Sequence, residues 1–559
     1  MLAAEAGIPP LMARILANRG ILDATSAMSF LSPRLSDLND PATLPDIDKA
    51  VERIHQAALN NQKVVIYGDY DVDGTSGTAI LVQFLNLLNM NVGYYIPHRI
   101  REGYGLNANA IRRFTSDDVQ LLITVDCGIN AINEIQRANE AGIDVIITDH
   151  HEPGTEIPNA YAIIDPKLST SEYPFRHLSG SGVAFKLAWA VAQRLSPGAR
   201  VTPEFREFLM DALGLAALGT VADVVPLLGE NRVIAKFGLE ALTVSRSPGV
   251  RALIEIAGLD GQRLDSHHIS FRLAPRLNAA GRMTEASLCV ELFTTDSTVK
   301  AHEIAEKLEE NNRQRQQIQR SVLESVRKKL QLEVDLETDR VLVLADEFWH
   351  PGVLGIVASK LVDDYYRPTV LVALDEGVGK GSGRSVPQFN LFDALAECDG
   401  PLISFGGHSQ AAGIKIHYDD IAEFRIALNA YAAEKLDLQD LVCSYDIDAQ
   451  VELDEMTVEN VSNIDRLAPY GEGNRQPLFC AKDLRLVGTP RTIGREDRHL
   501  TFYVRQGQTS LRTIAFDMAH LFDDVRKSQY CDLAFRAKIH ERNGSRSVEI
   551  EAIDIKVKH

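Results

Sequence analysis

The chain has 559 residues, 45% hydrophobic and 24% charged, with a formal net charge of -19 and no apolar run of the roughly 18 residues a membrane helix needs. That length exceeds one core and divides into about three or four domains, and the acidic total argues against indiscriminate polyanion binding unless basic residues cluster. Six cysteines (Cys127, Cys289, Cys398, Cys443, Cys480, Cys531) occur without a C-x-x-C pair, so neither a disulfide framework nor a zinc ribbon is expected; "MLAAEAGIPPLMARIL" lacks a signal-peptide pattern, and the expected compartment is cytoplasmic.

Residues 1–49 carry Pro9, Pro10, Pro33, Pro41 and Pro45 among short helical patches and read as a small attached segment. From residue 50 to 298 apolar strands ("KVVIYGD", "VGYYIP", "LLITVDCG", "DVIITDHH", "AIIDP") alternate with helix-like stretches, which predicts βαβ units around a parallel sheet. Residues 299–333 hold no Gly or Pro, and Ile318, Val322, Val326 and Leu330 recur at four-residue steps. This predicts a long amphipathic helix whose polar middle, "EENNRQRQQIQR", suits a connector. A second α/β block, 334–440, has strands "RVLVLAD" and "TVLVALD" around the helix "GVLGIVASKLVDDYY". From 441 to 559, segments such as "HLTFYVRQ", "LRTIAFD" and "SVEIEAIDIKV" at short spacing predict a small barrel. Between residues 482 and 558, fifteen Lys/Arg face eleven Asp/Glu, so this region is locally basic.

The stretch "GDYDVDG" sets Asp69, Asp71 and Asp73 at alternate positions before Gly74, like the opening of a calcium loop. The twelfth position, where such a loop needs a bidentate Glu, is Ile80, and a strand rather than a helix precedes it. The remaining reading is a strand, an acidic turn and a helix. In an open parallel sheet the C-terminal strand ends lie together, so Asp69, Asp71, Asp73, Asp126, Asp149, His150 and His151 are expected to converge. One strand-end Asp is more often a helix N-cap. Several, with two adjacent histidines and the lone Asp223 of "LAALGTVADVVPL", predict a dinuclear metal site. Imidazole with carboxylate oxygens suits Mn²⁺ and tolerates Mg²⁺, and Cys127 should point into the core by strand alternation.

In this order, "GDYDVDG", "TVDCG", "DHH", "GTVADVVPL", "RLNAAGRM", "GSGRS" and "GGHSQAAG" resemble the DHH phosphoesterase superfamily, and most closely its bacterial single-strand-specific 5′-to-3′ exonucleases. The resemblance runs from about residue 50 to the end. It implies an α/β fold: a DHH catalytic domain at 50–298, the connecting helix at 299–333, a DHH-associated domain at 334–440 and a single-strand-binding OB-fold at 441–559. It further implies that Asp71 and Asp126, completed by Asp69, hold one divalent cation, that Asp73, Asp126, His150 and Asp223 hold the other, and that His151 contacts phosphate or donates a proton. The implied product is the 5′-mononucleotide, in DNA repair and recombination, with single-stranded DNA as substrate, a single-strand-binding protein and a helicase as partners, and a monomeric state. One departure stands out: small-substrate relatives carry a metal-binding His four residues before the first ligand Asp, where this chain has Tyr67.

Arg99, Arg101 and Tyr104 in "HRIREGYG" read equally as a solvated loop or a substrate contact. "GKGSGRS" fails as a Walker A loop, yet its amides with Ser382 and Arg384 could cradle a phosphate. His408 of "GGHSQAAG" is a buried turn residue or a substrate contact, and the resemblance favours contact; it also implies substrate roles for Arg276, Asn278 and Arg282. A 5′ end is expected at Arg384, Ser382 and Arg99, and bases are expected to stack on Phe502, Tyr503 and Phe516 of the barrel. Removing the barrel from about Ser444 is expected to weaken binding of long strands and to leave hydrolysis of very short oligonucleotides closer to intact, because the metals and the 5′ pocket lie elsewhere. A small-substrate phosphoesterase is disfavoured by Tyr67 and the barrel, and a non-catalytic scaffold by the complete set of acids and histidines.

Overall fold

The computed structural model describes residues 1–198, 200–542 and 544–558. Five short strands, β1 (Val64–Gly68), β2 (Val92–Tyr95), β3 (Leu121–Val125), β4 (Asp144–Thr148) and β5 (Ala162–Ile164), form an all-parallel sheet in the order β2-β1-β3-β4-β5. The central strands are buried along their length, as β-branched runs covered on both faces must be. Cys127 faces a core that includes Tyr67, Leu122 and Ile147, on one side of the sheet. The other side is the largest core, built with the helices Val72–Leu87, Gly180–Leu195, Pro203–Ala222 and Gly229–Thr243. The chain leaves β1 for β2 on one flank and returns to β3 on the other, so the order reverses between β1 and β3, where open α/β sheets form their crevices.

The expected connector is a helix over Thr298–Glu333. Its first turns (Ala301, Ile304, Leu308) belong to the core of the parallel-sheet unit, and its last (Val322, Val326, Leu330) pack with Leu342, Trp349 and Leu371 of the next unit. One helix therefore carries two cores. The second unit has strands β6 (Leu342–Asp346), β7 (Thr369–Asp375), β8 (Val378–Arg384), β9 (Leu402–His408) and β10 (Ala411–His417) in the order β6-β7-β8-β10-β9, with only β6 and β7 parallel.

Beyond it, β11 (Ala449–Gln450) leads into β12 (Phe479–Ile493), β13 (His499–Gln506), β14 (Thr509–Ala515), β15 (Tyr530–Arg542) and β16 (Ser545–Lys558). Pairing of β12 with β15 closes the last five into a barrel, which removes its edges. The N-terminal helices Pro10–Asn18 and Ala24–Leu31 share this barrel's core: Met12, Ile15 and Leu16 are buried with Leu453, Phe479 and Phe535. Arg19 seals that contact through Asp448 at 2.7 Å. Among the described residues, no helix is long and apolar enough to cross a membrane.

Candidate active site

Each strand of the crevice ends in an acid one residue beyond its last paired position. Asp69 follows β1, Asp126 follows β3, Asp149 follows β4 and Asp165 follows β5; the backbone N–H groups of the first three still donate to Val125, Thr148 and Ile164. Asp71 caps the helix Val72–Leu87 by accepting from the amides of Asp73 and Gly74. The turn is tight enough that a Cβ on Gly74 would lie 2.6–2.7 Å from the backbone of Asp69, so glycine is required there. Asp73, on the first turn of that helix, accepts from the amides of Gly180 and Ser181 at 2.5 and 3.0 Å. Asp223 arrives from the far side, at the end of the helix Pro203–Ala222.

The side chains converge. His150 Nε2 lies 3.0 Å from Asp126 Oδ1, 3.5 Å from Asp223 Oδ2 and 3.8 Å from Asp73 Oδ2. Three groups have ligand atoms within 4.8 Å of one another: Asp69, Asp71 and Asp126; Asp73, His150 and Asp223; and Asp126, His150 and His151. Burial and the neighbouring acids raise the carboxyls of Asp69, Asp71, Asp126 and Asp223, and burial lowers His150 to about 4. Among the described residues, buried Asp69 Oδ1 has no hydrogen-bond partner. An unpartnered carboxylate oxygen among mutually repelling acids, with a neutral imidazole between them, is a donor set that divalent cations fit.

Asp149 stands apart from these groups. Burial acts to raise its carboxyl, but the hydrogen bond with His151 Nδ1, at 2.7 Å, and both imidazoles hold it low. In return, His151 sits above the ordinary imidazole value despite its burial. The Tyr104 hydroxyl donates to Asp126 C=O at 3.1 Å and lies 3.1 Å from His151 Nδ1, so the loop after β2 closes against this histidine. Tyr67 occupies no part of the crevice: it is fully buried on the other face, donates to Gly105 C=O at 2.8 Å and stacks on Tyr95.

Beside the acids lies a cluster of opposite sign. Arg99 stacks over Tyr70 at 4.7 Å, and burial followed by the charges of Arg99, Arg315 and Arg384 lowers Arg282 to about 9. Arg384 is lowered by burial and by Arg99, and it donates to Ser382 Oγ and to Gly383 C=O. Arg282 donates to Gly352 C=O at 2.8 Å. Among the described residues, none of Arg99, Arg282, Arg315 and Arg384 forms an ion pair with an acid. Arg282 and Arg315 line a cleft with Asn278, Ser270, Ala222 and Val224, which opens beside Asp223. His408 is exposed and opposite Ala411, which is itself opposite Arg384, so His408 and Arg384 share one sheet face about 10 Å apart.

Other expected contacts lie differently. Arg276 is paired with Glu309 of the connecting helix at 2.6 Å, so its charge is already neutralised. Arg101 is exposed in the loop. Phe502 is a correction: it is buried in the barrel core at 3% exposure, whereas Tyr503 and Phe516 are about half exposed, because alternation along β13 sends adjacent residues to opposite faces. Sequence reasoning missed Arg315, which sits in a polar helical stretch indistinguishable from a solvated face, and Asp165, whose carboxyl burial raises to about 7 and whose only signal was its place after "AII".

A parallel sheet with buried acids and paired histidines at its strand ends, joined by a long helix to a second α/β unit, defines a metal-dependent phosphoesterase of the DHH class. Residues 63–220 match the DHH family N-terminal domain, 338–434 the DHHA1 domain and 447–554 the RecJ OB domain. The single-stranded-DNA-specific exonuclease RecJ of Bacillus subtilis (strain 168) is 37% identical over 98% of this chain and 68% of its own length. That of Escherichia coli (strain K12) is 34% identical over 98% and 95%. The crystal structure of RecJ in complex with Mn²⁺ from Thermus thermophilus superposes with a TM-score of 0.84 at 30% identity, covering 100% of this chain and 77% of that one, and the Mg²⁺ complex with 0.78 at 29%. The chain belongs to the RecJ family of single-stranded-DNA-specific exonucleases.

Proposed function

We propose that this chain removes 5′-mononucleotides one at a time from the 5′ end of single-stranded DNA. It is a metal-dependent exonuclease of single-stranded DNA. The polarity rests on one observation: Arg99, Arg282, Arg315 and Arg384 meet without acidic partners beside the acid cluster, an arrangement that costs stability unless an anion is bound there. A terminal 5′-phosphate carries more charge than an internal one and offers oxygens for guanidinium forks, so it is the occupant that this pocket reads best. Ser382 and the Gly383 carbonyl hold Arg384 in place for that contact.

In this scheme Asp69, Asp71 and Asp126 would hold one divalent cation, and Asp73, His150 and Asp223, with Asp126 3.0 Å from His150, would hold the other, with Mn²⁺ the best match and Mg²⁺ accepted. Bound cations would neutralise charge on the scissile phosphate and lower the pKa of a coordinated water. The amides of Gly180 and Ser181 fix Asp73, and Asp149 fixes His151. His151, whose protonated form Asp149 favours, would give its Nε2 proton to the departing 3′-oxygen of the terminal nucleotide. Tyr104 limits the tilt of that imidazole. Asn278 and His408 line the path of the following nucleotides, with Arg101 at its rim; Arg276 contributes by bracing the connecting helix rather than by direct contact.

The chain divides for these tasks into a segment 1–49 that braces the barrel, a catalytic unit 50–298, the helix 299–333, a DHH-associated unit 334–440 and an OB-fold 441–559. As a monomer in the cytoplasm, it would depend on a helicase to expose single strands and on a single-strand-binding protein to keep them open, as repair and recombination require. The test is digestion of single strands bearing a 5′-phosphate, a 5′-hydroxyl or a 5′-blocking group with Mn²⁺. We expect mononucleotides released from the 5′ end with preference for the phosphate. Release from the 3′ end, or equal rates on all three, would refute the polarity.

A further inference from the structure

The last acid of the crevice does not stand on the parallel sheet. Asp223 ends the helix Pro203–Ala222, its N–H donating to Gly219 C=O at 2.9 Å, and the next residue, Val224, has φ 62°. A β-branched residue in the left-handed region is strained by an amount on the order of 1–3 kcal/mol, and such a turn persists only if its far side is held. What holds it comes from the other end of the chain. Leu227 N–H donates to Glu472 C=O at 2.8 Å, and the buried Leu227 side chain sits so close to Gly471 that a Cβ there would meet it at 2.6 Å. A Cβ on Gly473 would likewise meet Pro226 and Leu228 at 3.2 and 3.3 Å.

The anchor of this contact is Arg232, five residues further on and only 2% exposed. Its guanidinium has no acidic partner among the described residues. It donates instead to the carbonyls of Arg466, Leu467 and Ala468 at 3.2, 2.8 and 2.9 Å and to Phe30 C=O at 2.7 Å. Asn474, 1% exposed, ties the same segment to itself through Leu467 and Pro469 C=O at 2.8 Å and accepts from Arg19. Ser266 donates to Tyr470 C=O from the catalytic unit. A buried cation that satisfies four carbonyls is lost as a unit, because the partners left behind cannot reach water.

We infer that residues 466–474, on the approach to the barrel, are a positioning element for Asp223: through Arg232 and Leu227 they set the strained turn that aims this carboxylate at His150, so completion of one cation site depends on docking of the barrel. The inference rests on the reading of Asp223 as a ligand. It also replaces the expectation that removing residues from about 444 leaves the metals untouched, since the truncation would take away the segment that holds the turn.

The experiment measures Mn²⁺ binding by calorimetric titration of the full-length protein, with melting temperature recorded in parallel. Arg232→Lys keeps the charge and loses the fork; Gly471→Ala pushes on Leu227 directly; Val504→Ala, deep in the barrel core, is the control for general destabilisation; Asp223→Ala is the reference for a lost ligand. We expect Arg232→Lys and Gly471→Ala to bind one Mn²⁺ as wild type does and the other at least tenfold more weakly, as Asp223→Ala does, while Val504→Ala keeps both at equal or greater loss of melting temperature. Two unchanged sites in Gly471→Ala, with one lost in Asp223→Ala, would overturn the inference even if Arg232→Lys fails to fold. Two unchanged sites in Asp223→Ala itself would overturn the ligand reading, and this inference with it.

Discussion

The crevice holds two clusters of like charge side by side, and they are built in opposite ways. Most of the acids stand at or just after strand ends of one sheet, Asp69 and Asp126 directly and Asp71 and Asp73 on the turn into the next helix, and Asp223 joins them from a helix end. Backbone amides hold several of them, as those of Gly180 and Ser181 hold Asp73. The arginines come from the loop after β2, the helix Ala274–Met283, the connecting helix and β8, and they meet only because two α/β units are docked. A rigid cluster is suited to chemistry, where a displacement of about 1 Å costs rate. A cluster shared between units is suited to capture, where a substrate end can complete the packing. Losing a member of the first should therefore abolish turnover, and losing a member of the second should change which ends are taken.

The largest effect is expected at the acids. Asp126→Ala or His150→Ala should lower hydrolysis of single-stranded DNA by at least about a thousandfold, as loss of a transition-state charge stabiliser does, while leaving single-strand affinity within a few-fold. Rapid-quench rates beside filter-binding affinities check this; a decrease of only several-fold would show that the acids are structural. Next comes the arginine cluster. Arg384→Ala and Arg282→Ala should each cost about 10- to 150-fold in kcat/KM on 5′-phosphorylated strands, the worth of one charged hydrogen bond, and little on 5′-hydroxyl strands. If the mutants keep the wild-type ratio between the two substrates, the contrast drawn above fails.

A third expectation concerns stability rather than rate. The carboxyls of Asp69, Asp71, Asp126 and Asp223 are raised above the ordinary value of 3.8, so the folded state binds protons more tightly than the unfolded one. Their contribution is fully present below that value and is lost as pH rises through the raised ones. In chelator, Asp126→Asn should thus melt higher than wild type at pH 8, and the gain in melting temperature on adding Mn²⁺ should be larger at pH 8 than at pH 5. A pH-independent gain would mean that the cation does not relieve these acids. The smallest effect is expected on the barrel, where Tyr503→Ala should weaken binding of long single strands by about 1 kcal/mol, the low end for one stacked base, and leave dinucleotide cleavage unchanged. Salt-dependent binding isotherms on long and short strands separate the two.

Local sequence went far with the first cluster. Runs such as "VVIYG" and "LLITV" have the length and β-branching of buried strands, the acid after each is adjacent in sequence to the strand that aims it, and a parallel sheet brings such ends together whatever the loops do. The long helix was equally legible, because absence of Gly and Pro and four-residue apolar spacing act within the segment itself. The expectation that bases stack on both Phe502 and Tyr503 overlooked strand alternation, which sends adjacent residues to opposite faces, and alternation alone does not tell which of the two faces water, since a one-residue slip reverses every side chain. Arg315 in a polar helix, Arg232 in an apolar one and the N-terminal helices that complete the barrel core carry no local mark of their partners, which for Arg232 and those helices lie hundreds of residues away. What the sequence alone determined was the chemistry and the elements that carry it, because those depend on neighbours along the chain. That Arg282 and Arg315 join Arg99 and Arg384, and that Arg232 and Leu227 pack against residues 466–474, was decided by tertiary structure, because like-charged or unpaired buried groups acquire meaning only from what packing places against them.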